Sequence, residues 1–354
     1  MARPSVPKDE FYFPFKQTRE NDLLPTKLDS VMISFHDHPF YVPQDSEQWE
    51  DYWRTGRPLM AYDEISDAGL SAVFADFHYC CRIYGKDPEF GRVWDIRDLV
   101  HSLGMLHTDM LKQKGSTFFM GGSSKDIIGA FDSGRVAIIP TTESIGGIGD
   151  DLDQLDVLYG LGLRVAGLTY ANQNHIGGGQ FDPGAGLTEF GKEVVHRLND
   201  LGIMVDLSHN NKKTTLEVLE VSEEPCVMSH ALVGELTGRP HDKTDEEIVA
   251  LAREGGLFAV KVSHPFDLKK GKEAFTVEDS LDHIEYVIEL VGAEHVAIGP
   301  DSFVWDSEEG VKGIKNSTQF INVVRGLAAR RHSYDEIRKI MGENVIDVMS
   351  AVES

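Results

Sequence analysis

Beyond residue 150, apolar positions along the chain switch repeatedly between two periods. Phe190, Val194, Val195, Leu198 and Leu201 recur at near-helical spacing within Thr188–Leu201 and stop at Gly202, after which Ile203–Leu207 runs apolar without a break. Such a pair reads as an amphipathic helix followed by a buried strand. The unit recurs. Asp151–Leu161, ended by Gly162, precedes Arg164–Leu168, and Lys212–Val221 leads through Pro225 to Cys226–Met228. Thr244 with Glu247 three residues later forms a capping box, and the helix it opens ends at Gly255 and Gly256 before Leu257–Val262. Val277–Val291, closed by Gly292, precedes His295–Gly299, and a last capping box, Ser333 with Glu336, opens the C-terminal helices. In the first 150 residues the pattern supports three strands, Ser30–Phe35, Leu70–Phe77 and Arg135–Pro140, set among irregular stretches such as SEQWEDYWRTGRP. Helix-then-strand repetition is the mark of parallel βα units. Eight such strands, with no glycine-rich phosphate loop after the first, predict an α/β protein: a closed (β/α)8 TIM-like barrel with N-terminal and loop insertions. Nothing marks a linker, so residues 1–354 are expected to form a single domain.

The length of 354 residues suits such a barrel with long loops, and 41% hydrophobic residues suffice for its core. Charge narrows the partners. With 34 Lys+Arg against 58 Asp+Glu, a net −24, the surface repels phosphate backbones and anionic lipid, which argues against nucleic acid and membrane surfaces and for a small-molecule substrate. Cys80 and Cys81 are adjacent and Cys226 is distant, a set that makes neither a disulfide framework nor a cysteine-rich zinc site. No run of 18 apolar residues occurs and the first residues have no apolar signal core, so the expected location is the cytoplasm. Whether the chain pairs with a second copy as a homodimer is left open at this level.

In a parallel barrel, chemistry gathers where strands end. The first expected strand ends His36-Asp37-His38, and alternation sends both imidazoles to one side and Asp37 to the other. The third runs into Glu143, the fifth ends Asp206-Leu207-Ser208-His209, the sixth Met228-Ser229-His230, and the eighth Gly299-Pro300-Asp301. A lone histidine after a strand is commonly a hydrogen-bonded structural residue. Four histidines and two carboxylates arriving from five strand ends are better explained as a metal-ligand set. Imidazole and carboxylate together suit Zn2+, with Mn, Fe or Co less favoured, and one carboxylate bridging two ions is the usual way to hold a binuclear site.

These residues carry a resemblance. Glu143 followed by Ser-Ile-Gly-Gly, LDVLYGLGLRVAGLTY, LTEFGKEVVHRLNDLGIMVDLSH, the VMSH strand, Gly238-Arg239-Pro240, HVAIGPD and GENVIDV resemble the membrane (renal) dipeptidase family of zinc peptidases, within the amidohydrolase superfamily. The resemblance covers roughly residues 30 to 352 and is poor over 40–130. It implies two divalent metal ions, with His36 and the residue two later on one, His209 and His230 on the other, and Glu143 bridging. It further implies that Arg239 holds a substrate carboxylate. Asp301 would move the proton between the bridging hydroxide and the leaving amine.

The chain also departs from the family pattern. His38 stands where the family has aspartate, which leaves the metal cluster one unit more positive. Tyr170 stands where the family has a histidine that contacts the reacting carbonyl region. Lys261-Val262-Ser263-His264 replaces an Asn-Phe-Tyr run, and NQNHIGGGQFD, which contains His175, replaces an expected Trp-Ala-Asp stretch. Tyr170, His175, Ser263 and His264 are therefore the candidate substrate contacts of a rebuilt pocket. The expected activity is hydrolysis of an amide, most simply in a dipeptide with a free carboxylate. The alternatives are a non-peptide amide, lactam or ester on the same scaffold, and an inactive metal-dependent ligand-binding protein.

Overall fold

The computed structural model describes residues 28–42, 60–76, 95–112, 117–262, 276–305, 313–314 and 319–354. Its strands are β1 (Ile33–Val42), β2 (Ala72–Asp76), β3 (Phe118–Met120), β4 (Val136–Thr142), β5 (Val165–Gly167), β6 (Met204–Asp206), β7 (Val227–Ala231), β8 (Leu257–Val260), β9 (Val296–Ile298) and β10 (Phe303–Trp305). All pair in parallel, in the order β10-β1-β2-β4-β5-β6-β7-β8-β9, with β3 added against the start of β4. β9 and β10 follow one another through Gly299–Ser302. One pairs with β8 and the other with β1, so together they are the eighth staff of the barrel and bring its ends together. The seam is reinforced where Asp301 N donates to His36 O at 2.9 Å and His38 N to Ser302 O at 3.0 Å.

Ile33, Ala72, Ala137, Val165, Met204, Val227, Leu257 and Ala297, one from each barrel strand, meet in one buried cluster. This is the interior of the barrel. Above them Phe35, Phe74, Ile139 and Ala259 continue the same cluster, and Val345, Val348, Met349 and Val352 of the last helix close its lower end. The opposite faces of the strands, Val73, Ala75, Ile138, Ala166, Phe258 and Val260 among them, join a second, larger core under the helices.

The helices are α1 (Tyr62–Ala68), α2 (Ile96–Lys112), α3 (Ser124–Ser133), α4 (Asp153–Gly160), α5 (Glu189–Leu201), α6 (Lys212–Val221), α7 (Gly234–Thr237), α8 (Asp245–Arg253), α9 (Val277–Val291), α10 (Ile321–Ala329), α11 (Tyr334–Arg338) and α12 (Asn344–Val352). Both expected capping boxes form, Thr244 with Glu247 and Ser333 with Glu336, and Thr276 with Asp279 adds a third at the head of α9. α1 to α3 lie in the region that the sequence pattern left irregular. α2 nonetheless buries Leu99, Leu103, Leu106 and Met110, a helical spacing. β3 and β10, three residues each, are likewise absent from the sequence expectation.

Candidate metal centre

β1 illustrates how local backbone geometry places the ligands. Ile33 and Phe35 point into the barrel, so strict alternation would send Asp37 inward and both histidines outward. The register between β1 and β2 shifts between Ser34 and Asp37. One extra residue there, a β-bulge, turns the strand by one position. Ser34 and Asp37 consequently share the outer face, where the Ser34 hydroxyl donates to Asp37 at 3.1 Å, and His36 and His38 both face the site. Asp37 is spent on the seam, accepting from Ser302 N at 3.2 Å and Ser302 Oγ at 2.9 Å.

Two glycines let neighbouring strands come close at this level. A Cβ on Gly167 would lie 2.0 Å from the Glu143 carbonyl oxygen, and one on Gly299 would lie 1.7 Å from that of Ser229. Any side chain at either position would push a ligand-bearing strand away. Two residues beyond Gly299, Asp301 adopts φ +50°, a left-handed conformation unusual outside glycine but tolerated by aspartate, and its carboxylate reaches the cluster.

Glu143 is the hub. Its Oε1 lies 3.4 Å from His209 Nε2, 3.5 Å from His36 Nε2, 3.6 Å from His230 Nε2 and 3.8 Å from His38 Nε2. Such separations are long for hydrogen bonds. They suit ligand atoms sharing an ion, since bonds of about 2.0–2.2 Å at a tetrahedral angle put donors about 3.4 Å apart. His209 and His230 turn their Nε2 atoms to within 2.9 Å of each other, a second edge of that kind. Asp301 Oδ1 is 3.2 Å from His38 Nε2 and 3.9 Å from His36 Nε2. One donor atom each from His36, Glu143, His230 and Asp301 lies within 4.8 Å of all the others. Buried His36 Nε2 makes no hydrogen bond, so a coordinated ion would supply the partner that this atom lacks. The donor set therefore fits divalent metal.

The far ring nitrogens are held from behind. His209 Nδ1 lies 3.0 Å from Gln180 Oε1, and His230 Nδ1 lies 2.9 Å from Ser229 Oγ, whose hydroxyl donates to the Asp206 carboxylate. With the Ser229 proton given to Asp206, its oxygen accepts from His230, which fixes the proton on Nδ1 and leaves Nε2 for a metal. Asp206 also receives Ser208 N, Ser208 Oγ and Ser229 N, so one buried carboxylate ties β6 to β7 beneath both histidines. Gln180, Ser229 and Asp206 are not singled out as site residues by the sequence, because the bonds that give them their role, Gln180 to His209 and Asp206 to Ser229, cross between strands and loops.

Charge in the cluster favours cations. Burial disfavours a protonated His36, yet the Glu143 carboxylate, with help from Asp301 and Asp76, outweighs it and lifts the pKa to about 9. His230, buried and next to His36, is pushed well below the usual imidazole range. Burial works against ionisation of Asp301, but the Lys261 ammonium, then His230 and His38, hold its carboxyl well below the usual carboxylate range. Lys261, from the end of β8, is thus a further site residue: its ammonium bonds Asp301 Oδ2.

The substrate-side candidates are less concentrated. The Tyr170 ring packs on His209 with centroids 4.4 Å apart. His175 is exposed, and its carbonyl accepts from Thr188 Oγ1 at 2.7 Å. Arg239 donates through Nε to His241 Nε2 at 3.0 Å and through Nη2 to the same atom, and it lies 3.6 Å from Asp242. The His241 ring meets Phe181, beside Gln180, at 5.2 Å between centroids. Ser263 and His264 lie outside the described residues.

A barrel whose strand ends deliver this cluster has known counterparts, and residues 30–354 match the profile of the membrane dipeptidases, peptidase family M19. The chain belongs to that family. Among its relatives, a protein of Schizosaccharomyces pombe described as an uncharacterized dipeptidase is 30% identical over 268 residues, covering 73% of this chain and 63% of the relative. A dipeptidase of Clonostachys rogersoniana is 29% identical over 266 residues, covering 73% of this chain and 66% of the relative. The matches thus span somewhat under two thirds of these relatives' own lengths. Among solved structures, an amidohydrolase from Pseudomonas aeruginosa superposes with a TM-score of 0.74 at 26% identity, covering 92% of this chain and 97% of the other. Membership of the M19 family agrees with the resemblance carried by the sequence motifs, and the barrel agrees with the expected fold. Among the described residues no helix is long and apolar enough to cross a membrane.

Proposed function

We propose that this M19 chain is a binuclear metal-dependent hydrolase of amide bonds, a dipeptidase for small substrates that carry a free carboxylate. The observation that carries the reading is the ring of four imidazole Nε2 atoms, 3.4 to 3.8 Å from one oxygen of Glu143. His36 and His38 would hold one ion, His209 and His230 the other, with Glu143 shared between them. Two zinc ions there would supply Lewis acidity, lowering the pKa of a bound water toward about 7 and polarising the scissile carbonyl.

The chain's own groups do the rest. Asp301, kept ionised by Lys261, accepts a proton from the attacking water. The same depressed pKa makes its protonated form a strong acid, so it hands that proton to the departing amine nitrogen. Ser229 and Gln180 keep the imidazole rings from rotating while this happens. Ester or lactam hydrolysis is the second reading, favoured by Tyr170, which stands where the family has a histidine that contacts the reacting carbonyl region.

Zinc-loaded protein assayed on L-L and L-D dipeptides beside simple amides, lactams and lactones tests the assignment. Dipeptides are expected to lead by at least about tenfold in kcat/KM. A lactone or lactam turned over faster than every dipeptide would transfer the assignment to the second reading.

A further inference from the structure

The ends of β8 and β9 bring together two opposite charges whose use the metal ligation does not explain. Along β8, Leu257 and Ala259 face the barrel interior, while Phe258, Val260 and Val262 face the helix layer. Alternation therefore sends Lys261 inward, at the mouth, where its side chain is only 14% exposed. Its ammonium rests on Asp301 Oδ2, while Asp301 Oδ1 faces His38 and His36. One carboxylate thus has a metal-facing oxygen and an oxygen shared with a cation.

Arg239 is differently placed. Its Nε and Nη2, two donors that a guanidinium would offer to a carboxylate as a fork, both point at His241 Nε2, and Asp242 lies alongside. To hold a substrate it would first have to give up these partners.

We infer that Lys261, rather than Arg239, receives the terminal carboxylate of the substrate, which makes it a specificity-determining residue for free-acid dipeptides. The inference rests on the amide-hydrolase reading above. Its basis is the shape of the leaving group. The amine nitrogen must come within hydrogen-bond reach of Asp301 to be protonated, and in a dipeptide the carboxylate carbon is two bonds from that nitrogen. A carboxylate so tethered lies within about one hydrogen-bond length of a cation already seated on Asp301. Lysine suits the task, because a flexible stem carrying a rotating ammonium can swing between two acceptors without losing its charge. An amide at the same position offers it no charge and forfeits a charge-assisted bond.

The test compares alanyl-alanine with its C-terminal amide, using zinc-loaded full-length protein. Wild type is expected to favour the acid by about 10- to 100-fold in kcat/KM. Lys261→Met should bring that ratio to within about threefold of unity, Lys261→Arg should restore most of it, and Arg239→Met should leave it in place. Lys261→Met also disturbs Asp301, so turnover of both substrates should fall. The ratio cancels that loss, and metal content by emission spectroscopy should stay unchanged. Calorimetric titration of a phosphinate analogue of alanyl-alanine and of its amide gives the same comparison without turnover. Loss of acid preference in Arg239→Met and its persistence in Lys261→Met would overturn the inference and leave the hydrolase reading standing. Wild type that cleaves neither substrate, yet binds the acid analogue more tightly through Lys261, would overturn the hydrolase reading alone. Equal binding of acid and amide analogues to wild type would end the inference.

Discussion

His209 has its outer ring nitrogen fixed by Gln180 from another segment, and His230 by its neighbour Ser229, which is itself tied to Asp206 of the adjacent strand, whereas Arg239 is fixed by His241 and Asp242 of its own loop. The two halves of the site therefore rest on different supports. On the metal side, ligands leave the ends of barrel strands that are buried on both faces, and a buried carboxylate, Asp206, cross-links two of those strands. The candidate substrate contacts Tyr170, His175 and Arg239 lie instead in the loop after β5 and the stretch after β7, and the Arg239 guanidinium is held by neighbours two and three residues away. Rigid strand ends preserve the position of an ion to a fraction of an ångström, while loops let the pocket be rebuilt without disturbing it.

The largest expected effect comes from breaking the hub. Glu143→Gln puts a poor metal bridge at the oxygen that faces all four imidazoles, and both metal content and activity should fall together, activity by more than about 100-fold. Emission spectroscopy alongside a dipeptide assay checks this, and full metal content in an inactive variant would show that Glu143 acts on substrate instead. Next in size, Asp301→Asn should keep both metals while lowering kcat by about 10² to 10⁴, with KM nearly constant. A near wild-type rate would move the proton shuttle elsewhere.

Smaller effects sharpen the contrast between the halves. Ser229→Ala removes the acceptor that sets the His230 tautomer and should weaken metal affinity by about 10- to 100-fold, with little change in KM once zinc is saturating. If a loop substitution such as Arg239→Lys weakened zinc as much as Ser229→Ala does, the two supports would not be separate. The smallest effect is on pH dependence. In the metal-free site His36 holds its proton up to pH about 9, so below that pH an entering ion must displace it. Apparent zinc affinity should therefore rise with pH up to about 9 and then level off, as measured with a competing chelator. The same raised pKa gives the metal-free fold a stabilisation that is full below the ordinary imidazole pKa of 6.5 and lost as pH climbs to about 9.

Legibility in the sequence follows the same division. Each of the eight barrel strands could be located because strand, glycine stop and helix cap are all local signals, as at Leu201, Gly202 and Ile203. Glu143 and His230 are legible because each sits at the end of one of those strands, whereas β1 runs on to Val42, so His36 and His38 lie within it and not at its end as the sequence pattern suggests. What local patterning does not carry is geometry set across strands. The bulge that turns His36 and His38 inward is visible only in the pairing of β1 with β2. The Asp206–Ser229–His230 chain exists only once β6 and β7 are adjacent. Lys261 read as a departure from a family motif, and its ion pair with Asp301 needed the barrel to bring β8 beside β9. The sequence reading leaves α2 out although Leu99, Leu103, Leu106 and Met110 keep helical spacing and Asp95 caps its start, accepting from Arg97 N at 2.8 Å; the capping signal stands among aromatic and charged residues with no apolar period before it.

In the binuclear reading, four imidazoles and Glu143 hold two ions that the reaction requires. Titrating metal-free protein with zinc, while following both bound metal and dipeptide hydrolysis, tests it most directly. Binding should saturate at two equivalents per chain, with activity reaching its plateau at the second. Full activity with one equivalent bound, or with none, would contradict it.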